Sequence, residues 1–532
     1  MTTPYVVERF TDDERRMLGP FFSDLDGPVF ALTNMPEAVK GALFARYSRT
    51  TKSLRRLFLD EFAADIVDGT AGPTVGTRRA AGLYERVFVE YGDDSVAQLG
   101  GVHLACEQAS QLLAKALEWG RMAAYLEQST RYMRYDDRPG DRWRSTTPPE
   151  LAGTALAERY DTCLDDLFTT YGRLYEPMDA YFRAKVPQTP EDSDFVYRQS
   201  IMAKTCDTLR LLLPAGTRSN LGIFATGQSY EQLLMRLAVH PLAEMRDYGQ
   251  RMSVELRKVI PEFLTRVDVP DRGVAWSTYW RDVRERTDEL AAKLVGYVEP
   301  LSRPFVNLVD YDADGEMKVV AAALYAASAL PDDQLLDEVR AMSTDARAKI
   351  LASSIGERGN RRHKPGRAWE RTGYRFDVTC DFGAFRDLQR HRPLTIEWQR
   401  LTPALGYDVP EPIVEAGFSR DWAEAMEVSL ATWEAISAAG LPEVASYAVS
   451  MAYRIRFVMQ MTAREAMHLT ELRSQPTGHP AYRRVAQEMH RQIAAVHPAI
   501  GAAFTYVSYD DVDLERLEAE RRTEAKRRAL ST

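Results

Sequence analysis

The chain of 532 residues is long enough for two or more domains, each with its own core, and its 45% hydrophobic and 27% charged content is ordinary for a soluble globular protein. The formal net charge of −9 argues against general binding to nucleic acid or to an anionic membrane, since both need a basic surface. Any anionic ligand must therefore be held by arginines that cluster locally.

The first half is predicted to be mostly helical. Strand-like segments at Tyr5 to Phe10 and Val29 to Leu32 come first, and Pro36-Glu37 is typical of the first turn of a helix. Apolar periodicity predicts longer helices further on, with the last one broken by prolines. These helices run over about Gln98 to Leu117, Leu151 to Ala184, Phe195 to Pro214 and Tyr230 to Arg266.

A domain boundary is predicted between about Val267 and Pro304, around a helix from Trp276 to Tyr297. The second half then opens on a strand-like segment, Phe305 to Val309, and on a helix from Glu316 to Leu330 that mirrors the early helix after Pro36. This weak self-similarity at long period indicates domain duplication rather than a short-repeat solenoid. The predicted domains are residues 1–298 and 299–532.

The cellular location follows from what the sequence lacks. The four cysteines, Cys106, Cys163, Cys206 and Cys380, form no C-x-x-C pair, which is typical of reduced, structural thiols in a cytoplasmic protein. Apolar runs stay shorter than the roughly 18 residues that a membrane-spanning helix needs. The first residues carry no basic segment followed by an apolar one, so no signal peptide is predicted. A charge-dense helix is expected over Asp513 to Arg528.

The first motif that can carry chemistry is Glu127-Gln128-Ser129-Thr130-Arg131-Tyr132. Ser129 and Arg131 have the groups that clamp a phosphate, a hydroxyl and a guanidinium fork, and Glu127 can orient a ligand amide or an arginine. The pattern is short, and it fits equally well a helix C-terminus with surface charges.

The second motif is Arg390-His391-Arg392, which is predicted to end a helix before Pro393. A pair of guanidinium forks binds an oxyanion, yet cations at a helix C-terminus are also favoured by the helix dipole alone. His391 is one of only eight histidines in the chain, and six of the eight lie in the second half. That asymmetry favours a site in the second half.

A third motif lies on a predicted helix that starts at Thr462-Ala463-Arg464. Arg464 and His468 are four residues apart and share a helix face, Arg473 follows, and His479 stands in a Gly-His-Pro turn. Such a row can line a cofactor diphosphate, or it can be one solvated face. Metal-binding sequence motifs do not occur, so no metal is predicted. The Walker-type, Rossmann and serine-hydrolase motifs are missing as well.

Together these segments resemble the flavin-dependent (alternative) thymidylate synthases, which carry R-H-R-x-x-S, E-x-S-x-R-Y, R-x-x-L-P and an N-A-R helix followed by a histidine. The pattern occurs twice here, and each copy keeps different parts. In the first, Trp119-Gly120-Arg121 stands at the R-H-R position, while Arg210-Leu211-Leu212-Leu213-Pro214 matches R-x-x-L-P. In the second, R-H-R is intact, but Ser446 stands at the R-x-x-L-P arginine. The early G-H-x-S-x-x-E-H motif has become Gly92 to Leu99 in the first copy.

The resemblance implies one composite site, with the nucleotide phosphate held by first-half residues and the flavin by second-half residues. The implied substrate-binding residues are Glu127, Ser129, Arg131, Tyr132, Arg210 and Arg390. The implied flavin-binding residues are His363, Glu370, His391, Arg392, Arg464, His468, Arg473 and His479. The implied catalytic residues, which polarise the reacting base, are Arg390, Arg473 and Arg210.

The resemblance also implies a helix-rich α+β fold, two tandem copies of the thymidylate synthase domain packed as a pseudo-dimer, and a homodimer that mimics a tetramer. The implied reaction is FAD-dependent C5 methylation of a uracil nucleotide, most simply dUMP to dTMP, with methylenetetrahydrofolate and NADPH as co-substrates. Two alternatives remain open at this stage. The chain can be a non-catalytic or repurposed flavin- or nucleotide-binding paralogue, or it can transfer one carbon to a different pyrimidine.

Overall fold

The computed structural model describes residues 6–48, 50–61, 63, 98–190, 192–510 and 512–531. Its α-helices, in chain order, are α1 Asp12–Leu18, α2 Glu37–Tyr47, α3 Leu54–Glu61, α4 Gln111–Leu117, α5 Ala155–Lys185, α6 Asp194–Leu209, α7 Gly227–Ala238, α8 Ala243–Leu256, α9 Ala275–Leu294, α10 Gly315–Tyr325, α11 Asp332–Ala341, α12 Thr344–Ile355, α13 Phe382–Leu388, α14 Glu411–Glu415, α15 Ser419–Ala438, α16 Pro442–Ala445, α17 Ala463–Arg473, α18 Pro480–Val496, α19 Pro498–Ala502 and α20 Leu517–Ser531. Its strands are β1 Gly101–Ser110, β2 Ala123–Glu127, β3 Arg218–Thr226, β4 Val306–Tyr311, β5 Gly373–Asp381, β6 Leu394–Trp398 and β7 Arg454–Thr462. The helix-rich α+β class predicted from the sequence is confirmed.

The chain forms two compact units that do not follow its order. The first unit holds Met1–Glu107, Met122–Glu127 and Asn220–Val298, and the second holds Gln108–Arg121, Gln128–Ser219 and Glu299–Thr532. Much of the first half of the sequence thus belongs to the second unit. The boundary predicted between the two copies at 298 and 299 stays a prediction.

The same arrangement of elements occurs twice along the chain. Strand, short helix and strand (β1, α4, β2) are followed later by a long strand and a helix (β3, α7), and the same series recurs as β5, α13, β6, β7 and α17. The sheet orders also agree, since β1-β3-β2 has the topology of β5-β7-β6, to which β4 adds one edge strand. The predicted tandem duplication is therefore visible in the topology.

Equivalent capping residues begin the helices in both copies. Thr226 accepts a hydrogen bond from Ser229 N at the start of α7, and Thr462 accepts one from Glu465 N at the start of α17. Ser110 caps α4 in the same way that Asp381 caps α13. A side-chain oxygen at this position satisfies one of the free N–H groups of the first helical turn. These caps fix where each strand turns into the helix that follows it, and in the second copy those helices, α13 and α17, carry site residues.

The sheet of the second unit supplies much of that unit's core. Its strands are antiparallel, and residues alternate between a buried and a half-buried face. In β5 the buried side chains include Tyr374, Phe376 and Val378, and α18 packs against this strand. The C-terminal ends of β5 and β7, where α13 and α17 start, are therefore held in place by a well-packed sheet.

A helical layer completes the second unit. Helix α5, 31 residues long, contacts α6 and α15, and its apolar stripe is buried along its length. Phe168 and Tyr171 of α5 are fully buried, as is Trp422 of α15. Helix α6 leads directly from this layer into the turn Arg210–Leu212, which holds one of the predicted site arginines.

Several predicted elements are wrong. Residues 101–110 are strand β1, not the first part of a helix from Gln98, because pairing in the sheet overrides the helical preference of an Ala- and Gln-rich segment. The E-x-S-x-R-Y motif follows strand β2 rather than ending a helix. Residues 6–10 form no strand, and Leu32 contributes only an isolated bridge to Phe22. Residues 92–97 lie outside the described part of the chain.

Two further observations concern the cysteines and the length and polarity of the helices. All four cysteines are buried and unpaired, as their spacing predicts. Over the residues that the structure describes, every helix is too short or too polar to cross a membrane.

Candidate anion-binding site

Arg131 lies at the centre of a buried network in the second unit. Its Nε and Nη2 donate to the two carboxylate oxygens of Asp207, at 2.9 and 2.7 Å, and its Nη1 donates to the hydroxyl of Tyr482 at 3.0 Å. This is the bidentate geometry that a guanidinium uses for carboxylates and phosphates. The loop after β2 is thereby tied to α6 and to the first turns of α18.

A second aspartate extends the network. Arg210 lies between the two, with Nε 3.3 Å from Asp207 Oδ1 and Nη1 3.7 Å from Asp387 Oδ2. Asp387, on α13, also faces Arg390 at 3.3 Å and Arg473 at 3.6 Å. Two first-half arginines and two second-half arginines are therefore brought together around two aspartates.

The arginines keep both aspartates ionised. Burial by itself would raise the pKa of Asp207, but the charge of Arg131, together with His479 and Arg210, outweighs it and lowers that pKa to about 2. The pKa of Asp387 is likewise well below its usual value despite burial, because Arg390, Arg210 and Arg473 surround it. Four guanidinium groups against two carboxylates leave the network with a positive excess.

A second group of side chains adjoins the network through Arg473. Arg473 Nε donates to His391 Nε2 at 3.0 Å, so the other ring nitrogen, Nδ1, carries the proton that faces Glu465 Oε1 at 2.9 Å. Burial lowers the pKa of His391 well below its usual value and raises the pKa of Glu465 to about 7. The histidine of the R-H-R motif is therefore neutral and oriented from both sides.

His468 stands among cations. Its ring packs edge-on against that of His391, with centroids 5.5 Å apart. Burial and the charges of Lys364, Arg361, Arg473 and Arg464 together lower the pKa of His468 to about 4. A neutral imidazole with cations on several sides is a donor set suited to an anion.

The same histidines raise the question of a metal. The ligand atoms of His391, Glu465 and His468 lie within 4.8 Å of one another, close enough to share an ion. However, one ring nitrogen of His391 already accepts from Arg473, and the charges nearest to His468 are positive. Positive neighbours disfavour a divalent cation, so the geometry favours an anion at this position. The prediction that no metal binds stays untested.

The remaining predicted residues differ in how closely they join these groups. Ser129 Oγ accepts the backbone N–H of Arg131, and the exposed ring of Tyr132 lies under Arg516, 4.2 Å from ring centroid to guanidinium carbon. His479 lies 3.9 Å from Asp207, so it belongs to the aspartate network rather than to the group around His468.

Other predicted residues lie further out. Arg464 pairs with Glu370 at 3.3 Å at the edge of the group around His468. His363 is exposed in a turn, where its ring accepts the N–H of Gly359, and Arg392 is exposed as well. Glu127 is buried at the end of β2 and belongs to the first unit.

Sequence reasoning missed the acidic half of the network. Asp207 precedes Arg210 by three residues, and Asp387 precedes Arg390 by three residues, so each aspartate and arginine lie on one helical face and pair locally. The repeated D-x-x-R spacing in the two halves was a readable signal. Tyr482 carried no comparable signal, because its position depends on how α18 packs.

One expected result concerns acid stability. His479 Nδ1 accepts the N–H of Ala481 and caps α18, and burial lowers the pKa of His479 to about 3. Below its unfolded pKa of about 6.5, the unfolded chain binds a proton that the folded chain does not, so this residue reduces stability as the pH falls. Replacing it by asparagine keeps a good capping oxygen and removes the titration.

In His479→Asn, the free energy of unfolding should therefore fall less between pH 6.5 and 4.5, by roughly 2 kcal/mol. Urea unfolding followed by circular dichroism at both pH values measures this difference. His103→Asn, at an exposed position of β1, is the control and should keep the parent's dependence. An unchanged pH dependence in His479→Asn would contradict the assignment of a neutral buried imidazole.

The fold and the network define a duplicated, helix-rich α+β protein with a buried group of arginines and aspartates that is its candidate site. The sequence model of the thymidylate synthase complementing proteins matches residues 41–262 and again 307–499. The chain belongs to this family, and with it to the thymidylate synthase-like methyltransferases. Two separate matches in one chain also agree with the duplicated topology.

Relatives of the same length exist in bacteria and archaea. A UPF0159 protein of Chlamydia muridarum is 40% identical over 97% of this chain and 99% of its own length, and one from Chlamydia pneumoniae is 39% identical over 97% and 98%. A UPF0159 protein of Thermoplasma acidophilum is 31% identical over 92% and 99%. A solved structure, the UMP/dUMP methylase PolB from Streptomyces cacaoi bound with 5-Br dUMP, aligns at a TM-score of 0.32 and 20% identity, over 39% of this chain and 97% of that one.

Proposed function

We propose that this protein methylates C5 of a uracil nucleotide, most simply dUMP, with FAD as cofactor, methylenetetrahydrofolate as one-carbon donor and NADPH as reductant. The observation that carries the proposal is the network of Arg131, Arg210, Arg390 and Arg473 around two aspartates. Motifs from both sequence copies contribute to it, which is what a single nucleotide site assembled from a duplicated domain requires.

The charge of the network suits the proposed substrate. A phosphate monoester carries about −1.5 to −2 charges at neutral pH, and the four arginines exceed the two aspartates by two charges. A nucleoside without phosphate would leave that excess unbalanced in a buried place. The proposal therefore predicts that the nucleotide binds and the nucleoside does not.

The residues around His468 fit the diphosphate of FAD. Lys364, Arg361 and Arg464 supply positive charge, and Arg473 connects this group to the nucleotide network. His391, neutral and oriented, can accept or donate one hydrogen bond without changing charge. When bound, the flavin supplies the hydride for the reaction.

The chain's own residues bind, orient and polarise. Arg390 and Arg473 are cations beside the proposed phosphate site that can stabilise negative charge as it develops on the uracil carbonyls. Both are held in place by Asp387, so they need no rearrangement when that charge appears. No activated cysteine is invoked, since burial raises the pKa of Cys106, Cys163 and Cys206 above their usual value.

The test is the visible absorption spectrum of the purified full chain after FAD is added and the excess removed. A retained flavin spectrum that shifts on titration with dUMP, and does not shift with deoxyuridine, is the expected result. Methyl transfer from methylenetetrahydrofolate is then assayed with NADPH. Failure to retain any flavin would contradict the enzymatic proposal.

One observation favours the alternative of a non-catalytic or repurposed paralogue. Asp207 accepts hydrogen bonds from both Nε and Nη2 of Arg131. A phosphate must therefore displace Asp207 or bind to the remaining donors of Arg131. Bound FAD without affinity for dUMP would favour this alternative. A spectral shift with another pyrimidine nucleotide, and none with dUMP, would favour transfer to a different base.

The proposed assembly is a homodimer.

A further inference from the structure

A separate cavity of about 950 Å³ lies within the second unit. It is bounded by the C-terminal end of α5, by α6, by the start of α13, by residues 408–415, by the start of α18, and by residues 509–510 and 512–515. Asp207 and His479 line it on one side, so it shares a wall with the arginine network. The proposed methylation does not use the rest of its lining. A volume of this size is typical of sites for small organic molecules.

The charge of the lining is negative. Eight carboxylate side chains and four lysine or arginine side chains face the cavity. Some are already paired, such as Glu415 with Lys185 and Glu515 with Lys204. Glu411 and Asp513 form no ion pair with any residue that the structure describes. The excess of carboxylates therefore favours a ligand of positive charge.

Asp381 gives an independent indication of a ligand. This residue lines the cavity, and only 1% of its surface is exposed. Its Oδ1 accepts the N–H of Ala384 as the cap of α13, whereas its Oδ2 has no hydrogen-bond partner among the described residues. Buried polar atoms are nearly always hydrogen-bonded, so an unsatisfied carboxylate oxygen at a cavity wall points to a donor that binds there.

The surroundings of Asp381 are consistent with such a donor. Burial, together with the charge of Asp408, raises the pKa of Asp381 to about 7, although Arg210 and Arg484 lower it. Its carboxylate is therefore only partly ionised at neutral pH when nothing cationic is bound. A cation beside it would stabilise the ionised form.

The arrangement favours an organic cation over a metal ion. Among the described residues, the group of His391, Glu465 and His468 is the one whose ligand atoms come close enough to share an ion. The carboxylates of the cavity are thus dispersed around it rather than converging on a point, whereas divalent cations need several oxygens at about 2–2.5 Å. Apolar side chains, among them Val409 and Pro412, also line the cavity and suit a methylene chain.

We propose that this cavity binds an aliphatic polyamine, with one ammonium group on Asp381 and the others on carboxylates such as Glu411 and Asp513. A lining that holds both dispersed carboxylates and apolar side chains matches ammonium groups joined by methylenes. An ammonium has three donors, and one of them would satisfy Asp381 Oδ2.

Isothermal titration calorimetry of the full chain with spermidine tests the proposal. Asp381→Asn keeps a capping oxygen for α13 while removing the charge, and it is expected to weaken spermidine binding about tenfold or more. Glu338→Gln, at an exposed position of α11 that does not line the cavity, is the matched control and should leave binding unchanged. Glu411→Gln/Asp513→Asn alters exposed cavity residues, does not threaten the core, and should weaken binding as well.

Three outcomes would overturn the proposal. These are no binding of spermidine, equal binding by the parent and both cavity variants, and tighter binding of Mg²⁺ than of spermidine at the same ionic strength. The outcome is independent of the proposed methylation, because dUMP and FAD titrations of Asp381→Asn report on the arginine network separately. If the parent protein does not bind dUMP, the result of the spermidine titration still stands.

Discussion

Replacing Arg390 by alanine is expected to raise the Kd of dUMP by about one to two orders of magnitude while the protein stays folded. The arginine side chain is 35% exposed, and it contacts Asp387 at 3.3 Å and the carbonyl of Arg386 at 3.2 Å. Its removal therefore costs little packing, whereas losing one charged hydrogen bond to a ligand typically costs about 1.5–3 kcal/mol. Titration of the flavin-loaded protein with dUMP measures the change.

Two further variants sharpen this experiment. Arg390→Lys keeps the charge but loses the planar fork, so its affinity should lie between those of the parent and Arg390→Ala. Arg340→Ala removes an exposed arginine of α11 that pairs with Asp314 and Asp337, and it should leave dUMP binding unchanged. Parent-like affinity and turnover in both Arg390→Ala and Arg131→Ala would refute the composite site.

Replacing Arg131 by alanine should instead destabilise the protein, with a loss of about 3 kcal/mol or more in the free energy of unfolding. The side chain is buried, and its loss leaves Asp207 as a buried carboxylate with the longer contacts to Arg210 and His479. Breaking a buried ion pair by removing one partner is far more costly than replacing both partners. Urea unfolding monitored by circular dichroism gives the difference.

The control for this effect is the double variant. Arg131→Ala/Asp207→Asn removes the stranded charge, and it should recover part of the stability lost in the single variant. A cost below about 0.5 kcal/mol in Arg131→Ala, as for an ordinary surface residue, would contradict the structural role of the pair. The double variant is expected to be the more stable of the two, so nucleotide affinity is measured in it as well as in Arg131→Ala.

The arginines could be predicted from the sequence because each stands in a motif that resembles one of the family's motifs. Arg131 and Arg473 are 342 residues apart in sequence, yet the family resemblance of their motifs implied one site. In the structure Arg131 pairs with Asp207, Arg473 faces Asp387, and Arg210 lies between the two aspartates. The aspartates were missed for the opposite reason. A carboxylate beside an arginine on one helix face looks like a solvated pair until burial is known.

Strand β1 is an element that could not be predicted from the sequence. Its residues belong to a segment, Gln98 to Leu117, whose Ala, Leu, Gln and Glu content favours a helix, and their pairing with β3 depends on a segment more than 100 residues later in the chain. Local preference carries no information about such a partner, and tertiary context decides. The later helices were predicted well because their apolar periodicity is local. His363 was assigned to the flavin site only because it resembles the histidine of the family's early motif, and the sequence around it gave no sign that it lies in an exposed turn.

The packing of α5 against α15 has a consequence for how the protein is made. Helix α5 ends at Lys185, while α15 runs from Ser419 to Ala438, so the apolar stripe of α5 has no α15 to cover it until roughly 250 more residues have been synthesised. At about 5–20 residues per second, this takes on the order of 10–50 s. During that time Phe168, Tyr171 and their neighbours must be sheltered by α6 or by a chaperone. A chain that interleaves its two copies in this way cannot fold its halves one after the other on the ribosome, and the nascent protein carries an aggregation hazard that two separate domains would avoid.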